Sequence, residues 1–350
     1  MQKTIFLVSF LLNACIALSQ GIEFKDVSVN KAIDLAEKEN KYVFIDVYTN
    51  WCRPCKLMDK QVFTQKKVGD YFNSKFINIK VNAEYGEEGP KFANNYKINS
   101  YPSFVILDPK GNLVHIFAGA TLKGEEFIEK VEESFNSSKA FGVLKRKYDS
   151  GKRDKKIVAA YLQALIKTNT IKVDNLVDEF YKSLNKDERI SNETLFIFEK
   201  FAPLDSDKAI FFESNIDKFR SKVGNEKVDA ILVGNYELYF GMLVKTPKIS
   251  VSEEDINKKA NQVQSLGIQN LKAIPAFKSA ALLKLGNIKK EYFFKEIEKS
   301  IKTLTDREKD LMLFIIIPGL KNVLTEKEKQ DLIKLVTDEG VKGYIIRSFN

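Results

Sequence analysis

Two cysteines, Cys52 and Cys55, have the residue type and spacing that point most directly to chemistry. A Cys-x-x-Cys spacing lets both sulfurs meet in a small disulfide ring, although it also occurs in metal sites. A structural zinc site needs four ligands, whereas the chain has one further cysteine, Cys15, and a single histidine, His115. Covalent haem attachment needs a histidine directly after the second cysteine, where Lys56 stands. The pair therefore favours thiol–disulfide chemistry, with no metal and no cofactor besides the redox-active disulfide itself.

The residues around the pair predict which sulfur attacks. A β-branched and aromatic run ends just before Cys52, and residues 54–63 have the apolar spacing of a helix. The start of a helix carries partial positive charge, which stabilises a thiolate beside it. Arg53 adds a positive charge, and Pro54 suits a first helical turn. We therefore expect Cys52 to be the nucleophile and Cys55, one step deeper in the helix, to be the resolving thiol.

The first part of the chain alternates between strand and helix patterns. Predicted strands lie at 41–48, 76–81, 103–107 and 113–117, and predicted helices at 29–39, 54–63, 64–72, 91–96 and 124–135. The strand at 41–48 is apolar except for Asp46, which is typical of a central strand buried on both faces. An acid buried there is costly to ionise, so its pKa should be raised. A partly solvated position at the strand end is the alternative. His115 is expected to be a structural or surface residue.

Beyond a polar break at residues 136–139 the periodicity becomes helical, and strand signals are almost absent. Thr305 and Thr325 are each followed three residues later by a glutamate, which is the capping-box pattern at a helix start. Residues 139–350 therefore predict an all-α domain, either a bundle or a solenoid-like stack without a strict repeat. No catalytic constellation and no glycine-rich phosphate loop stands out in this part.

Residues 1–19 have the pattern of an export signal. A short positive start precedes an apolar run at 5–18, and Ala17 and Ser19 supply the small residues that signal peptidase requires. The run is shorter than the ~20 residues of a spanning helix, which favours cleavage over a membrane anchor. Lipidation of Cys15 is a further alternative. We expect a periplasmic or otherwise extracytoplasmic protein that is not integral to the membrane after cleavage.

The formal net charge of +9 is concentrated in the second part of the chain. Residues 1–139 contain 18 Lys/Arg and 17 Asp/Glu, which leaves 38 and 30 of the totals of 56 and 47 for residues 140–350. The lysines alternate with acidic residues along most of this segment, as they do on solvated helical faces. We therefore expect no nucleic-acid partner.

Several motifs in the right order resemble the thioredoxin superfamily over residues 25–136. The matching residues are Asp46, Trp51, Cys52, Cys55, Lys80, Tyr101 and Pro102. The segment is similar in particular to exported reductases related to the terminal domain of the transmembrane disulfide-reducing transporter. The resemblance implies an α/β thioredoxin-like fold, a mixed central sheet flanked by helices, over residues 20–138.

The same resemblance implies roles for individual residues. Asp46 would be a buried carboxylate that exchanges a proton with Cys55, and Lys80 would be its neighbour. Pro102 would be a cis proline facing the sulfurs, which leaves the backbone of Tyr101 free to pair with an extended client strand. The expected client-binding residues are Trp51, Arg53, Pro54, Tyr101 and Pro102.

The predicted function is a thiol–disulfide oxidoreductase that reduces or isomerises protein disulfides and receives electrons from a membrane donor. Trp51 either shields the cysteine pair or packs against the fold. Arg53 stands where thioredoxin has a glycine, so the resemblance does not predict the reduction potential of the cysteine pair. The alternative is a folding or assembly factor in which residues 139–350 bind clients. Residues 20–138 are expected to fold and keep dithiol chemistry on their own.

Overall fold

The computed structural model describes residues 21–349 of the chain. The predicted export signal and the alternative of lipidation at Cys15 lie outside the described residues. The chain divides into two compact units, with the division between Phe180 and Tyr181.

A five-stranded mixed sheet forms the centre of the first unit. Its strands are β1 Phe24–Lys25, β2 Tyr42–Tyr48, β3 Phe76–Asn82, β4 Ser103–Leu107 and β5 Leu113–Ala118. The spatial order is β1-β3-β2-β4-β5, with β1 and β2 parallel to β3, and β4 antiparallel to both β2 and β5. Strand β1 was not predicted, because a strand of two residues shows no periodicity. The central position of β2 is confirmed.

Helices connect the strands and flank the sheet. They are α1 Val29–Glu39, α2 Arg53–Gln61, α3 Lys66–Lys75, α4 Glu88–Asn95, α5 Gly124–Glu132 with a following 3₁₀ turn Glu133–Phe135, α6 Phe141–Asp149, α7 Lys155–Thr168 and α8 Asp174–Ser183, which spans the division. The predicted fold class, a mixed sheet flanked by helices, is confirmed. Helix α4 begins three residues before its predicted start, because its first turn holds Glu88, Gly89 and Pro90 and no apolar signal.

An aromatic cluster packs between the sheet and helices α2, α3 and α5. Phe44 of β2 stacks on Phe104 of β4 with 5.7 Å between ring centroids, and Phe72 stacks on Phe127 at 5.3 Å. Successive side chains of a strand point to opposite faces, so Asp46 lies on the same face of β2 as Phe44. The sheet surface beneath α2 is therefore apolar, except for Asp46 at its edge.

The first compact unit extends beyond the boundary predicted after residue 138. His115 Nδ1 on β5 accepts a hydrogen bond from the Phe141 backbone N–H at 3.0 Å, and Arg146 donates to the Leu113 carbonyl at 2.7 Å. A Cβ on Gly142 would lie 2.1 Å from the same carbonyl oxygen. Strand β5 is at the edge of the sheet and has no strand partner on its outer side. Helices α6 and α7 pack against β5. The polar break at 136–139 is thus a turn within this unit.

His115 is fully buried, so its expected structural role fits its place under α6. Burial lowers its pKa to about 4; Lys167 acts in the same direction and Glu133 opposes it. An unfolded histidine titrates near ~6.5, so the unfolded chain binds more protons between these two values. We expect the free energy of unfolding to fall by about 3 kcal/mol through this group as the pH falls from about 7 to about 4.

This expectation is measured by denaturant unfolding of the wild type and His115→Gln across that pH range. The glutamine can still accept from the Phe141 N–H but cannot titrate. The difference in unfolding free energy between the two proteins should therefore change with pH by the stated amount. A difference that stays constant with pH would contradict the assignment.

The second unit, residues 181–349, contains helices and no strand. Its helices are α9 Lys186–Arg189, α10 Leu195–Lys200, α11 Asp207–Ser214, α12 Ile216–Val223, α13 Asn225–Lys245, α14 Glu253–Ser265, α15 Ile274–Leu285, α16 Lys290–Ile301, α17 Asp306–Gly319, α18 Glu326–Ile333 and α19 Glu339–Arg347. The capping boxes at Thr305 and Thr325 are confirmed. Across residues 21–349, no helix is both long enough and apolar enough to span a bilayer.

Candidate redox site

The two cysteines lie where β2 gives way to α2. Cys52 is the N-cap of α2, Cys55 is in its first turn, and a disulfide joins them. Their exposed fractions are only 1% and 3%. The backbone N–H of Cys55 donates to the Cys52 sulfur at 3.1 Å. This donor and the partial positive charge of the helix start both favour negative charge on Cys52, as its predicted role as nucleophile requires.

A buried acid–base pair lies on the neighbouring strands. Asp46 of β2 and Lys80 of β3 are direct partners in the parallel register, and their charged groups are 2.9 Å apart. Asp46 has an exposed fraction of 1%, so its expected burial is confirmed. Lys80 also contacts Asp59 of α2, which is partly exposed. The Lys80 ammonium therefore forms ion pairs with two carboxylates, the buried Asp46 in the sheet and Asp59 on the helix.

The two members of the pair have shifted pKa values. Burial raises the pKa of the Asp46 carboxyl above its ordinary value, and the Lys80 ammonium only partly opposes the shift. Burial alone would lower the pKa of Lys80, but the charges of Asp46 and Asp59 outweigh it, and the net shift is upward. A carboxyl with a raised pKa holds and releases a proton closer to neutral pH than an exposed one does.

The Asp46–Lys80 pair lies beneath α2, the helix that carries Cys55. Asp59 follows Cys55 by four residues, which places both on one face of α2. Because Lys80 contacts Asp59 and Asp46 together, this face of the helix lies over the buried pair. When the disulfide is reduced, a carboxyl in this position is suited to exchange a proton with a thiol on this face of the helix.

The outer rim of the site is aromatic. Trp51 is 66% exposed and meets the ring of Tyr101 edge to face, with 5.9 Å between ring centroids. The Tyr101–Pro102 peptide bond is cis, as the resemblance implied. Arg53 is exposed. Of the predicted client-binding residues, Arg53 and Pro54 therefore lie in the first turn of α2, and the structure brings Trp51, just before Cys52, against Tyr101 of the cis Tyr101–Pro102 peptide.

One residue of this rim, Glu84, was not predicted from the sequence. The indole N–H of Trp51 donates to both carboxylate oxygens of Glu84, at 3.0 and 2.9 Å. Partial burial, and then the Glu84 charge, raise the pKa of the Tyr101 hydroxyl. A signal was present: Glu84 follows the end of β3 as Trp51 follows the end of β2. These strands are parallel, so both loops lie at the same edge of the sheet.

Metal ligation was the alternative interpretation of the cysteine spacing. Among residues 21–349, no group of three or more His, Cys, Asp or Glu side chains is placed to hold a metal ion.

The sheet order, the N-capping disulfide at the end of the central strand and the buried acid beneath it define a thioredoxin-like protein. The family model for a thioredoxin-like domain matches residues 29–134. Thioredoxin-1 of Drosophila melanogaster is 34% identical over 91 residues, which are 26% of this chain and 77% of that relative. The chain belongs to the thioredoxin family.

Two other proteins match a similar share of this chain. Chloroplastic thioredoxin Y2 of Arabidopsis thaliana is 31% identical over 110 residues, which are 31% of this chain and 61% of that relative. The chain thus spans about three fifths of the length of that thioredoxin. The C-terminal domain of DsbD from Neisseria meningitidis, in its oxidised form, is 26% identical and has a TM-score of 0.28. The likeness covers 32% of this chain and 98% of that domain.

Proposed function

We propose that this protein is an extracytoplasmic thiol–disulfide oxidoreductase that reduces or isomerises protein disulfides. The observation that carries the proposal is the Cys52–Cys55 disulfide at the start of α2, above the buried Asp46–Lys80 pair. A disulfide that only stabilised the fold would need no buried proton-exchanging group beside it. The export pattern of residues 1–19 supports the location.

The proposed cycle begins with the reduced pair. The Cys52 thiolate attacks one sulfur of a client disulfide; a bond forms between them, the client bond breaks, and the departing client thiolate takes a proton. Cys55 then gives its proton to the Asp46 carboxylate and attacks the Cys52 sulfur. The mixed disulfide breaks and the second client sulfur leaves, taking a proton. The client gains two electrons and two protons, and the Cys52–Cys55 disulfide remains.

Net reduction requires that this disulfide be reduced again after each turnover. Two electrons and two protons must come from an external dithiol, and for an exported protein we propose a membrane-bound donor. An isomerase needs no net donor, because the client's second thiol can displace Cys52 from the mixed disulfide. The two modes are distinguished by the dependence of the rate on an added dithiol.

The direction of electron flow is tested by a redox titration against glutathione. Pro54 before Cys55 is the thioredoxin arrangement, and a reductant of that type has a potential near −270 mV. Arg53 stabilises the reduced thiolate and makes the pair more oxidising, but water screens an exposed charge, so we expect a shift of only about 20 mV. A potential near −120 mV would overturn the reductase proposal.

The activity itself is tested with insulin as the client and dithiothreitol as the electron source. We expect the wild-type protein to accelerate precipitation of the reduced insulin chains, and Cys52→Ser to give only the rate of dithiothreitol alone. Equal rates for both proteins would contradict the proposed activity.

The role of Asp46 leads to a prediction on pH dependence. Replacing Asp46 by asparagine removes the proton acceptor, so we expect resolution of mixed disulfides to slow by about tenfold or more at pH 7. The deficit should shrink as the pH rises, because hydroxide can then take the thiol proton in place of the carboxylate. Rapid-quench measurement of the mixed disulfide reports this step. The matched control is Asp59→Asn, which removes the other carboxylate that contacts Lys80; a similar deficit there would contradict the assignment.

The same substitution has a predicted effect on stability. Because the folded-state pKa of Asp46 is raised, folding favours its protonated form. The stabilising contribution is therefore complete below the unfolded pKa of ~3.9 and is lost as the pH rises through the folded value. Above that value, Asp46→Asn should have a higher free energy of unfolding than the wild type, and urea unfolding at pH 8 measures the difference.

A client-binding assembly factor is the second candidate, and one feature of the helical unit favours it. Leu238 and Met242, one helical turn apart on α13, are exposed beside a groove of about 330 Å³ that Pro203 and Tyr239 also line. Exposed apolar surface of this kind is typical of a binding face. A variant lacking both cysteines should still suppress client aggregation if this second function is correct.

A further inference from the structure

The loop between α7 and α8, residues 169–173, reaches the loop that precedes the cis proline. The side-chain amide of Asn99 donates to the Thr170 carbonyl at 3.0 Å. Asn99 precedes Tyr101 by two residues, which span at most about 7 Å of chain. Residues 169–173 lie outside the stretch 29–134 that the family model for a thioredoxin-like domain matches. This chain therefore has, beside its redox site, a loop that comes from outside the thioredoxin-like domain.

Hydrogen bonds and a buried side chain fix the shape of this loop. Asn169 ends α7 in the left-handed conformation, with a φ of 50°. The Thr168 hydroxyl lies 2.7 Å from the Thr170 hydroxyl and accepts from the Thr170 N–H at 3.3 Å. At the other end of the loop, the side chain of Val173 is buried. The loop is thus held at its start by α7, in its middle by Asn99 and at its end by the core.

Ile171 is the apolar side chain that this fixed loop exposes. Its exposed fraction is 49%, and it directly follows the anchored Thr170. A partner that covers a side chain on a fixed loop pays little for ordering the loop. Lys172 and Asp174 beside it are both exposed and carry opposite charges, so the loop does not favour a charged partner of either sign. The partner chemistry that fits this loop is an apolar side chain.

We propose that Ile171 is a specificity residue that contacts an apolar side chain of the client, about three to five residues from the cysteine that Cys52 attacks. The inference rests on the proposed function and adds a substrate preference to it. A client strand that pairs with the Tyr101 backbone passes Asn99, two residues away. Because a strand rises about 3.3 Å per residue, three to five client residues cover about 10–17 Å, which is enough to reach the loop.

The test uses short peptides whose single cysteine is bonded to thionitrobenzoate. Cys52 of the reduced protein attacks the peptide sulfur, and thionitrobenzoate leaves with the electron pair of the broken bond and is measured by its absorbance. One peptide has leucine at the positions named above on either side of the cysteine, and a second has serine there. We expect the wild type to react about fivefold faster with the leucine peptide, because part of two apolar side chains is removed from water.

Variants at residue 171 show whether the preference comes from this side chain. In Ile171→Ser the two peptides should react at rates within about twofold of each other, whereas Ile171→Val should keep most of the preference. The matched control is Ile346→Ser, which removes an isoleucine of similar exposure, 47%, from α19 of the second unit. This control should keep the full preference.

A cross-link measures the contact directly. In Cys55→Ser the peptide stays bonded to Cys52, and a benzophenone side chain in place of a leucine reacts on illumination with the C–H bonds that it touches. We expect mass spectrometry to locate the cross-link within residues 169–173. Adding Asn99→Ala, which removes the hydrogen bond to the Thr170 carbonyl, should lower the yield of this cross-link.

The outcomes separate this inference from the proposed function. If the reduced wild type releases thionitrobenzoate from neither peptide nor from dithiobis(nitrobenzoate), a small disulfide, the proposed function fails, and the inference fails with it. If the wild type reacts with all three but does not prefer leucine, or if Ile171→Ser keeps the preference, the inference alone is overturned. Cross-links found only outside residues 169–173 also overturn it, as does an equal loss of rate in Ile171→Ser on all three reagents.

Discussion

Replacing Cys55 by serine is expected to trap client proteins as mixed disulfides on Cys52 and to reduce insulin turnover to background. The first attack needs only the Cys52 thiolate, which the start of α2 and the N–H of residue 55 stabilise. The second attack needs a thiol at position 55, and a serine hydroxyl is too weak a nucleophile to replace it. Non-reducing electrophoresis of cells that express the variant, followed by mass spectrometry of the trapped bands, measures the result.

Cys52→Ser is the matched control for this trap. It removes the exchange nucleophile and leaves Cys55 beneath the helix start, almost fully buried in the disulfide-bonded protein. We expect no trapped client. Equal trapping by the two variants would mean that the roles assigned to the two sulfurs are wrong.

A chain that ends at residue 138 is expected to be insoluble or unfolded, whereas a chain of residues 21–180 should fold and reduce small disulfides. The shorter chain loses the buried side chains Phe141, Leu144, Leu162 and Leu165, which belong to α6 and α7. Their loss uncovers the part of β5 against which α6 and α7 pack, and each large apolar side chain returned to water costs about 1.5–3 kcal/mol of a domain stability of about 5–15 kcal/mol. An uncovered edge strand also promotes aggregation.

Solubility, circular dichroism and urea unfolding of the two chains measure this difference. The chain of residues 21–180 serves as the control, since it keeps the hydrogen bond from Phe141 to His115 and the ion pair of Lys167 with Glu133. A cooperative transition at the same urea concentration in both chains would show that α6 and α7 are dispensable. That result would support the prediction from the sequence that residues 20–138 fold on their own.

Around β2 the structure agrees closely with what the sequence predicts. Asp46 stands within an apolar run, so the sequence predicts its burial and its raised pKa, and the structure agrees in both respects. The start of α2 beside Cys52 is likewise predicted correctly from the apolar spacing that follows. These features depend on residues close together in the chain, where periodicity and helix-start preferences act directly.

Other features arise only where distant segments meet. Glu84 reaches Trp51 because β2 and β3 are parallel neighbours, and nothing local to residue 84 encodes that pairing. His115 accepts from Phe141 because α6 folds back over the edge strand, which moves the boundary of the compact unit from the polar break to Phe180. The sequence by itself determined the cysteine pair at a helix start, the alternation of elements and the helical second part, since each depends on local pattern. The tertiary structure decided the partner of Trp51, the environment of His115 and the extent of the first unit, because sheet order and edge burial depend on contacts between segments far apart in the chain.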